Sequence, residues 1–395
     1  MMRTLGGVRA PLLMWLAMGT LTAAGALCYA ELATRFPRAG GAYVFLREGF
    51  GRRCAFVYGW MAMLVMDPGI TAALGIGFAQ YLVATFGLPA RYMAAYAIAG
   101  ILACAVLVNR GVAASGRALA WSATVKLVIV GLLVCAGLWR VVGSGLALHG
   151  TSPGAIGVQG VAAALVAAFF AFGGWWDLGR VSEDVAEPRR TMPVALVGGV
   201  LLVTAVYVMV TLTFALAAPA GAAQTDEAFV AAAGDALFGR TAGRLLAAMV
   251  VVTVTGSLAA VLFGAPRTYV AMMRDGLLPA RYRWFDEARG SSPAGTAVQA
   301  ALACVLVLLG SFDQILGYFV PAAVFFLGLS ASALVVLPRP VDAGAFRVPL
   351  YPVPLVVFLV LIVAMIGLFL VGQPTQTLLG AAVVLLGLAV SRTVL

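Results

Sequence analysis

Apolar residues run through this chain in long, almost uninterrupted blocks. They show neither the alternation of a half-buried strand nor the one-sided stripe of a surface helix. Eleven blocks are long enough to be read as helices crossing a bilayer: residues 11–33, 54–86, 92–108, 118–142, 161–178, 193–217, 245–272, 293–309, 312–337, 354–371 and 374–390. A crossing helix needs about 20 predominantly apolar residues, and several blocks lie near that length. Block 54–86 is longer and must tilt or kink, with Pro68 the expected place. Polar residues gather in short loops, the longest at 218–244. The pattern predicts an all-α integral membrane protein forming a single transmembrane domain over residues 1–395.

Composition sharpens this picture. The chain is 63% hydrophobic and only 10% charged, against about 25% charged for soluble domains. Of the 25 basic residues only Lys126 is a lysine, and the net charge is +10. That charge reads as topology and not as a nucleic-acid surface. Eighteen arginines fall in one set of alternate loops and six in the other. The richer set, which includes Arg35, Arg52, Arg180 and Arg274, is predicted to be cytoplasmic together with the C-terminus, in the cell membrane. An odd number of crossings then puts the N-terminus outside, although Arg3 and Arg9 favour keeping it in. Cys28, Cys54, Cys104, Cys135 and Cys304 form no CxxC pair and read as buried small hydrophobes. His149 is the only histidine, so metal and histidine-based sites have almost nothing to be built from, and no cofactor is expected. No nucleophile–base constellation points to an enzyme.

One block is interrupted from within. Residues 161–193 read VAAALVAAFFAFGGWWDLGRVSEDVAEPRRTMP. A glycine pair inside a helix costs about 2 kcal/mol relative to alanines. Gly173 and Gly174 therefore mark either a functional break or a place where a neighbouring helix packs closely. The residues alone leave both open.

The order FFAFGGW, then SEDVAEPRRTMP, resembles the broken sixth helix of amino acid–polyamine–organocation permeases. Residues 25–60, GALCYAELATRFPRAGGAYVFLREGFGRRCAFVYGW, resemble that family's second helix and first cytoplasmic loop. Pro37 ends the helix, Gly40 and Gly41 turn the chain, and 43–50 can lie as an amphipathic segment on the inner face. The same N-terminal region could also be read as a cleavable signal peptide, but the match runs through the supposed cleavage site. Asn109-Arg110-Gly111-Val112, WSATVKL at 121–127, GSLAAVLFGAPRTYVAMMRDGLLP at 256–279 and RVPLYPVP at 347–354 extend the resemblance over essentially the whole chain.

The resemblance implies a leucine-transporter-type fold of two inverted repeats. Repeat one, truncated, covers about 1–142, repeat two about 161–337, and two extra helices about 354–390. Eleven helices correspond to the family's second to twelfth. Its first helix is expected upstream of Met1, so an open groove is expected beside residues 172–175. The substrate wall implied is Ala171, Phe172, Gly173, Gly174 and Trp175, where half-helix ends present unpaired backbone groups to the ligand.

Lys126 lies eight residues into its block, about 12 Å deep at 1.5 Å per residue. A lysine at that depth is a functional candidate or one that snorkels back to the interface. By resemblance it matches the lysine of proton-coupled members, and burial disfavours its charged form, so it is the expected coupling residue. Asp67 is expected either to satisfy backbone freed at Pro68, to pair with Lys126, or to face the vestibule and favour a cationic substrate. No role transfers to it from the family. Thr253, Thr255 and Ser257 either bond their own helix backbone or line a cation or proton site opposite Lys126.

The implied function is secondary active transport of amino acids or related amines, coupled to protons, by rocking one bundle against the other. The expected partners are thus a small-molecule amino acid, the proton and the lipid bilayer. An exchanger resembling light-chain transporters, or a non-transporting sensor or fragment, is the alternative. Oligomeric state is left open.

Overall fold

The computed structural model describes residues 9–144, 158–217, 240–279, 285–286, 290–310, 312–338, 346–372 and 374–395. His149, Arg3 and the predicted loop up to residue 239 lie outside them. Among the described residues every long element is a helix, and the only extended pairing is a single bridge, Asp286 with Ser291.

The helices are α1 (Arg9–Arg35), α2 (Ala42–Phe50), α3 (Arg52–Met61), α4 (Asp67–Phe86), α5 (Met93–Val108), α6 (Val112–Ser144) and α7 (Val158–Ala171). They continue as α8 (Pro188–Ala217), α9 (Arg240–Gly264), α10 (Pro266–Arg274), α11 (Pro293–Leu309), α12 (Phe312–Val336), α13 (Val353–Gly372) and α14 (Pro374–Val394). Helix is present in each of the eleven predicted blocks. Eight stretches are long and apolar enough to cross a membrane, and Leu119–Leu132, Pro293–Leu309 and Val320–Val336 are shorter apolar helices. This is a multi-pass membrane architecture.

Small residues bring the helices together. Helix α1 runs along α8, and a Cβ added at Gly19 would sit 2.4 Å from Thr204 Oγ1. Gly25 likewise leaves room for the Phe358 ring of α13, at 2.4 Å from such a Cβ. At the end of α1, buried Glu31 pairs with Arg35 and accepts the Val348 N–H at 2.7 Å. One carboxylate thereby ties α1 to the chain entering α13.

The long block 54–86 is continuous but irregular. A π-helical turn, Ala62–Met66, joins α3 to α4, and the Asp67 N–H reaches back to the Ala62 carbonyl. Pro68 has no N–H to give the carbonyl four residues before it, and a wider turn absorbs that loss. The strain predicted at Pro68 is thus taken up in the turn before it.

Alternate ends of the helices are tied by charge. Arg47 on α2 donates to both Asp275 oxygens, at 2.5 and 2.8 Å, and Tyr43 Oη donates to Asp275 at 2.7 Å. Burial first, and then the Asp275 carboxylate, push the Tyr43 phenol up, so it stays a donor. Nearby, Arg274 forks onto Glu183 at 2.8 and 3.1 Å, and Arg267 meets Asp184 at 2.9 Å. Glu183 also accepts the Ala39 N–H at 3.0 Å.

Candidate functional site: a broken helix beside a cavity

Helix α7 stops at Ala171. Gly174 takes φ 102°, in the left-handed region, and the chain resumes as a 3₁₀ stretch, Trp175–Asp184. A side chain at Gly174 would be strained, and a Cβ at Gly173 would sit 3.0 Å from the Phe170 carbonyl. Of the two readings the residues left open, the structure takes the break. Around it the Phe170 carbonyl accepts the Gly173 N–H and the Gly174 carbonyl the Asp177 N–H, while Ala171 accepts the Tyr207 hydroxyl. The Phe172 and Gly173 carbonyls accept no hydrogen bond from another described residue.

A cavity of about 410 Å³ opens beside this break. Its walls come from α4, α6, the broken segment, α9 and α12. Most of the lining is apolar, including Met66, Ile70, Phe169, Phe170 and Trp176. Four charged side chains reach it: Asp67, Lys126, Asp177 and Arg180.

The expected wall is only partly the observed one. Gly173 and Gly174 line the cavity, whereas Ala171, Phe172 and Trp175 do not. Phe172 is buried against Trp15 and Tyr207, with ring centroids 6.2 and 5.3 Å away, and Trp175 packs against Tyr29 and Phe358. Phe169 and Trp176, whose rings stack at 6.2 Å, line the cavity instead.

Lys126 lines the cavity from α6 and donates to Ser257 Oγ on α9 at 2.9 Å. The helices approach closely there because residue 256 is glycine, since an added Cβ would land 1.8 Å from Ser122 Oγ. Ser257 in turn donates to the Thr253 carbonyl at 3.3 Å. Thr253 and Thr255 hydroxyls bond their own helix, to the Val250 and Val251 carbonyls at 2.9 and 2.7 Å. Of the proposed partners only Ser257 meets the lysine.

Asp67 does not pair with Lys126, nor does its carboxylate serve the backbone near Pro68. It accepts Arg180 Nη1 at 2.8 Å and Tyr269 Oη at 3.0 Å, and it is 3% exposed. The backbone there is served by side chains, with Thr71 Oγ1 donating to the Asp67 carbonyl at 2.7 Å. Arg180 also donates from Nη2 to Tyr58 Oη at 3.3 Å, and its Nε lies 2.9 Å from Asp177 Oδ1. One guanidinium thus meets two carboxylates and one phenol. Sequence reasoning saw Arg180 only as part of a charged loop and passed over Asp177. For Asp177 the signal was available, because it lies inside the apolar block 161–178, where ionisable groups are rare.

A multi-pass helical bundle with an interrupted helix opening onto an internal, mostly apolar cavity is the architecture of a membrane carrier, not of an enzyme. The chain belongs to the amino acid permease family, whose model matches residues 2–389. It is similar to the serine/threonine exchanger SteT of Bacillus subtilis, 26% identical over 97% of this chain and 87% of the relative. The b(0,+)-type amino acid transporter 1 of Rattus norvegicus is 26% identical over 92% of this chain and 74% of that protein. The human cystine/glutamate transporter is 26% identical over 97% and 77%.

Proposed function

We propose that the protein is a secondary transporter that carries amino acids across the cell membrane by alternating access, coupled to protons through Lys126, with its C-terminus in the cytoplasm. The observation that carries this reading is the break at Gly173–Gly174, where Gly173 lines the cavity and its carbonyl accepts no hydrogen bond from another described residue. Carbonyls at the end of a half-helix carry partial negative charge and suit a substrate ammonium. Lys126 supports coupling because one hydroxyl holds it at the cavity wall and no carboxylate among the described residues fixes its charge. When the lysine releases its proton, Ser257 can donate to the neutral amine in place of accepting.

Counterflow of labelled amino acids in proteoliposomes, with and without an imposed pH gradient, tests the reading. Lys126→Gln is expected to abolish gradient-driven uptake in folded protein. Lys126→Arg is expected to fail as well, because guanidinium does not deprotonate in proteins. Undiminished gradient-driven uptake in Lys126→Gln would rule the coupling role out. A second reading, exchange without net proton movement, is favoured by the exchanger among the relatives. It predicts counterflow that ignores the pH gradient in the unaltered protein.

A further inference from the structure

The charges at the cavity do not balance locally. Arg180 is shared between Asp67 and Asp177, and the sharing is unequal. Asp67 is closed off, with one oxygen on Arg180 and the other on Tyr269, and its side chain is 4% exposed. Asp177 is not. Its Oδ1 lies 2.9 Å from Arg180 Nε but makes no aligned hydrogen bond, and its side chain is 37% exposed toward the cavity that it lines. No other described residue meets its second oxygen. Lys126, the remaining cation on the wall, is bonded to Ser257 and forms no ion pair with Asp177.

A carboxylate held among Phe170, Trp176 and aliphatic walls with half a share of one guanidinium is incompletely neutralised. Buried charges are stable when paired and hydrogen-bonded, so this position favours a cation arriving with a ligand. Its placement relative to the break is fixed. The Asp177 N–H donates to the Gly174 carbonyl at 3.1 Å, and the intervening chain is 3₁₀. Asp177 thus sits four residues beyond Gly173, in the first turn of the 3₁₀ stretch that follows the break.

We propose that Asp177 selects substrates bearing a second positive charge, that is, dibasic amino acids. This rests on the reading that the unpaired Gly173 carbonyl at the break holds the substrate α-ammonium. With that group there, an aliphatic side chain of three or four carbons runs along the apolar wall and brings its terminal ammonium or guanidinium to the open oxygen of Asp177. Arg180 orients the carboxylate through Oδ1, and Asp67 with Tyr58 and Tyr269 holds Arg180. Only Asp177 touches substrate; Arg180, Asp67, Tyr58 and Tyr269 position it.

Full-length protein in proteoliposomes tests this by counterflow of labelled arginine, lysine, leucine and serine at equal sub-saturating concentrations. Arginine and lysine are expected to exchange at least ten times faster than leucine or serine. Asp177→Asn is expected to lower the arginine-to-leucine ratio tenfold or more, and Asp177→Glu to keep most of it. A tenfold change corresponds to about 1.4 kcal/mol. Thermal unfolding of the unaltered protein needs no variant, and arginine should raise its Tm where equal leucine does not. Exchange of leucine or serine with no competition from arginine or lysine would overturn the inference alone. An equal loss for every substrate in Asp177→Asn would also overturn it, reducing Asp177 to a partner of Arg180. Absence of exchange for all four amino acids in folded protein would remove the transport reading beneath it as well.

Discussion

Two groups of ionisable side chains line the cavity, and they are built in opposite ways. Arg180 donates from two nitrogens, to Asp67 and Tyr58, its third meets Asp177 as an ion pair, and it is 4% exposed. Lys126 has a single hydroxyl for a partner. The first arrangement fixes a charge and joins three parts of the molecule, α4, the 3₁₀ stretch and α10, through Asp67, Arg180 and Tyr269. The second leaves a charge free to change. Inside a membrane protein the number of partners separates a positioning group from a poised one, because a buried ion with full ligation is costly to alter in either direction.

Removing Arg180 is the largest way to break the contrast. Arg180→Met strands two carboxylates, and loss of one partner of a buried pair costs about 3–5 kcal/mol. We expect a large drop in the midpoint of thermal unfolding in detergent, read by fluorescence-detected chromatography. A variant as stable as the unaltered protein would show that the cluster does not hold the broken helix in place. Gly174→Leu comes next. A side chain in the left-handed region carries a strain of about 1–3 kcal/mol, and loss of the break should remove substrate counterflow altogether. Normal counterflow in that variant would mean that the substrate does not use the break.

Smaller effects sharpen the other side of the contrast. Ser257→Ala removes one hydrogen bond to a charged group, about 1.5–3 kcal/mol at most. Its main effect should be a shifted pH dependence of uptake; an unchanged pH profile would separate Ser257 from coupling. The smallest change is expected for Arg274→Ala. The Arg274–Glu183 pair is 46% and 39% exposed, and exposed pairs contribute about 0–1 kcal/mol. Its loss should leave the unfolding midpoint nearly unmoved, and a large destabilisation would place that pair with the buried cluster.

The break itself was legible in the sequence, because a glycine pair within an apolar run is a local signal. So were the helices, since eleven blocks of apolar residues admit no other satisfied backbone in a bilayer than helix. Lys126 could be singled out as the one lysine, whereas which of Asp67, Thr253, Thr255 and Ser257 would meet it was open, and the structure brings it to Ser257. Asp67 was another matter. Three roles were open to it from sequence, and its partner proved to be Arg180, 113 residues away. Nothing local distinguishes Arg180 from the loop arginines that follow it.

The same limit explains the cavity wall. Sequence placed Phe172 and Trp175 beside the break, and they are beside it. Yet tertiary packing set their side chains against Trp15, Tyr207, Tyr29 and Phe358 and left Phe169 and Trp176 to line the cavity. By itself, then, the sequence determined the elements: their number of apolar blocks, their helical state, and the point where one is interrupted. Only the tertiary structure decided which charges are closed and which are open, leaving Asp67 sealed and Asp177 facing the cavity. The physical reason is range. Helix formation and its interruption depend on neighbours within a turn, whereas the state of a buried charge depends on which distant helices deliver its partners.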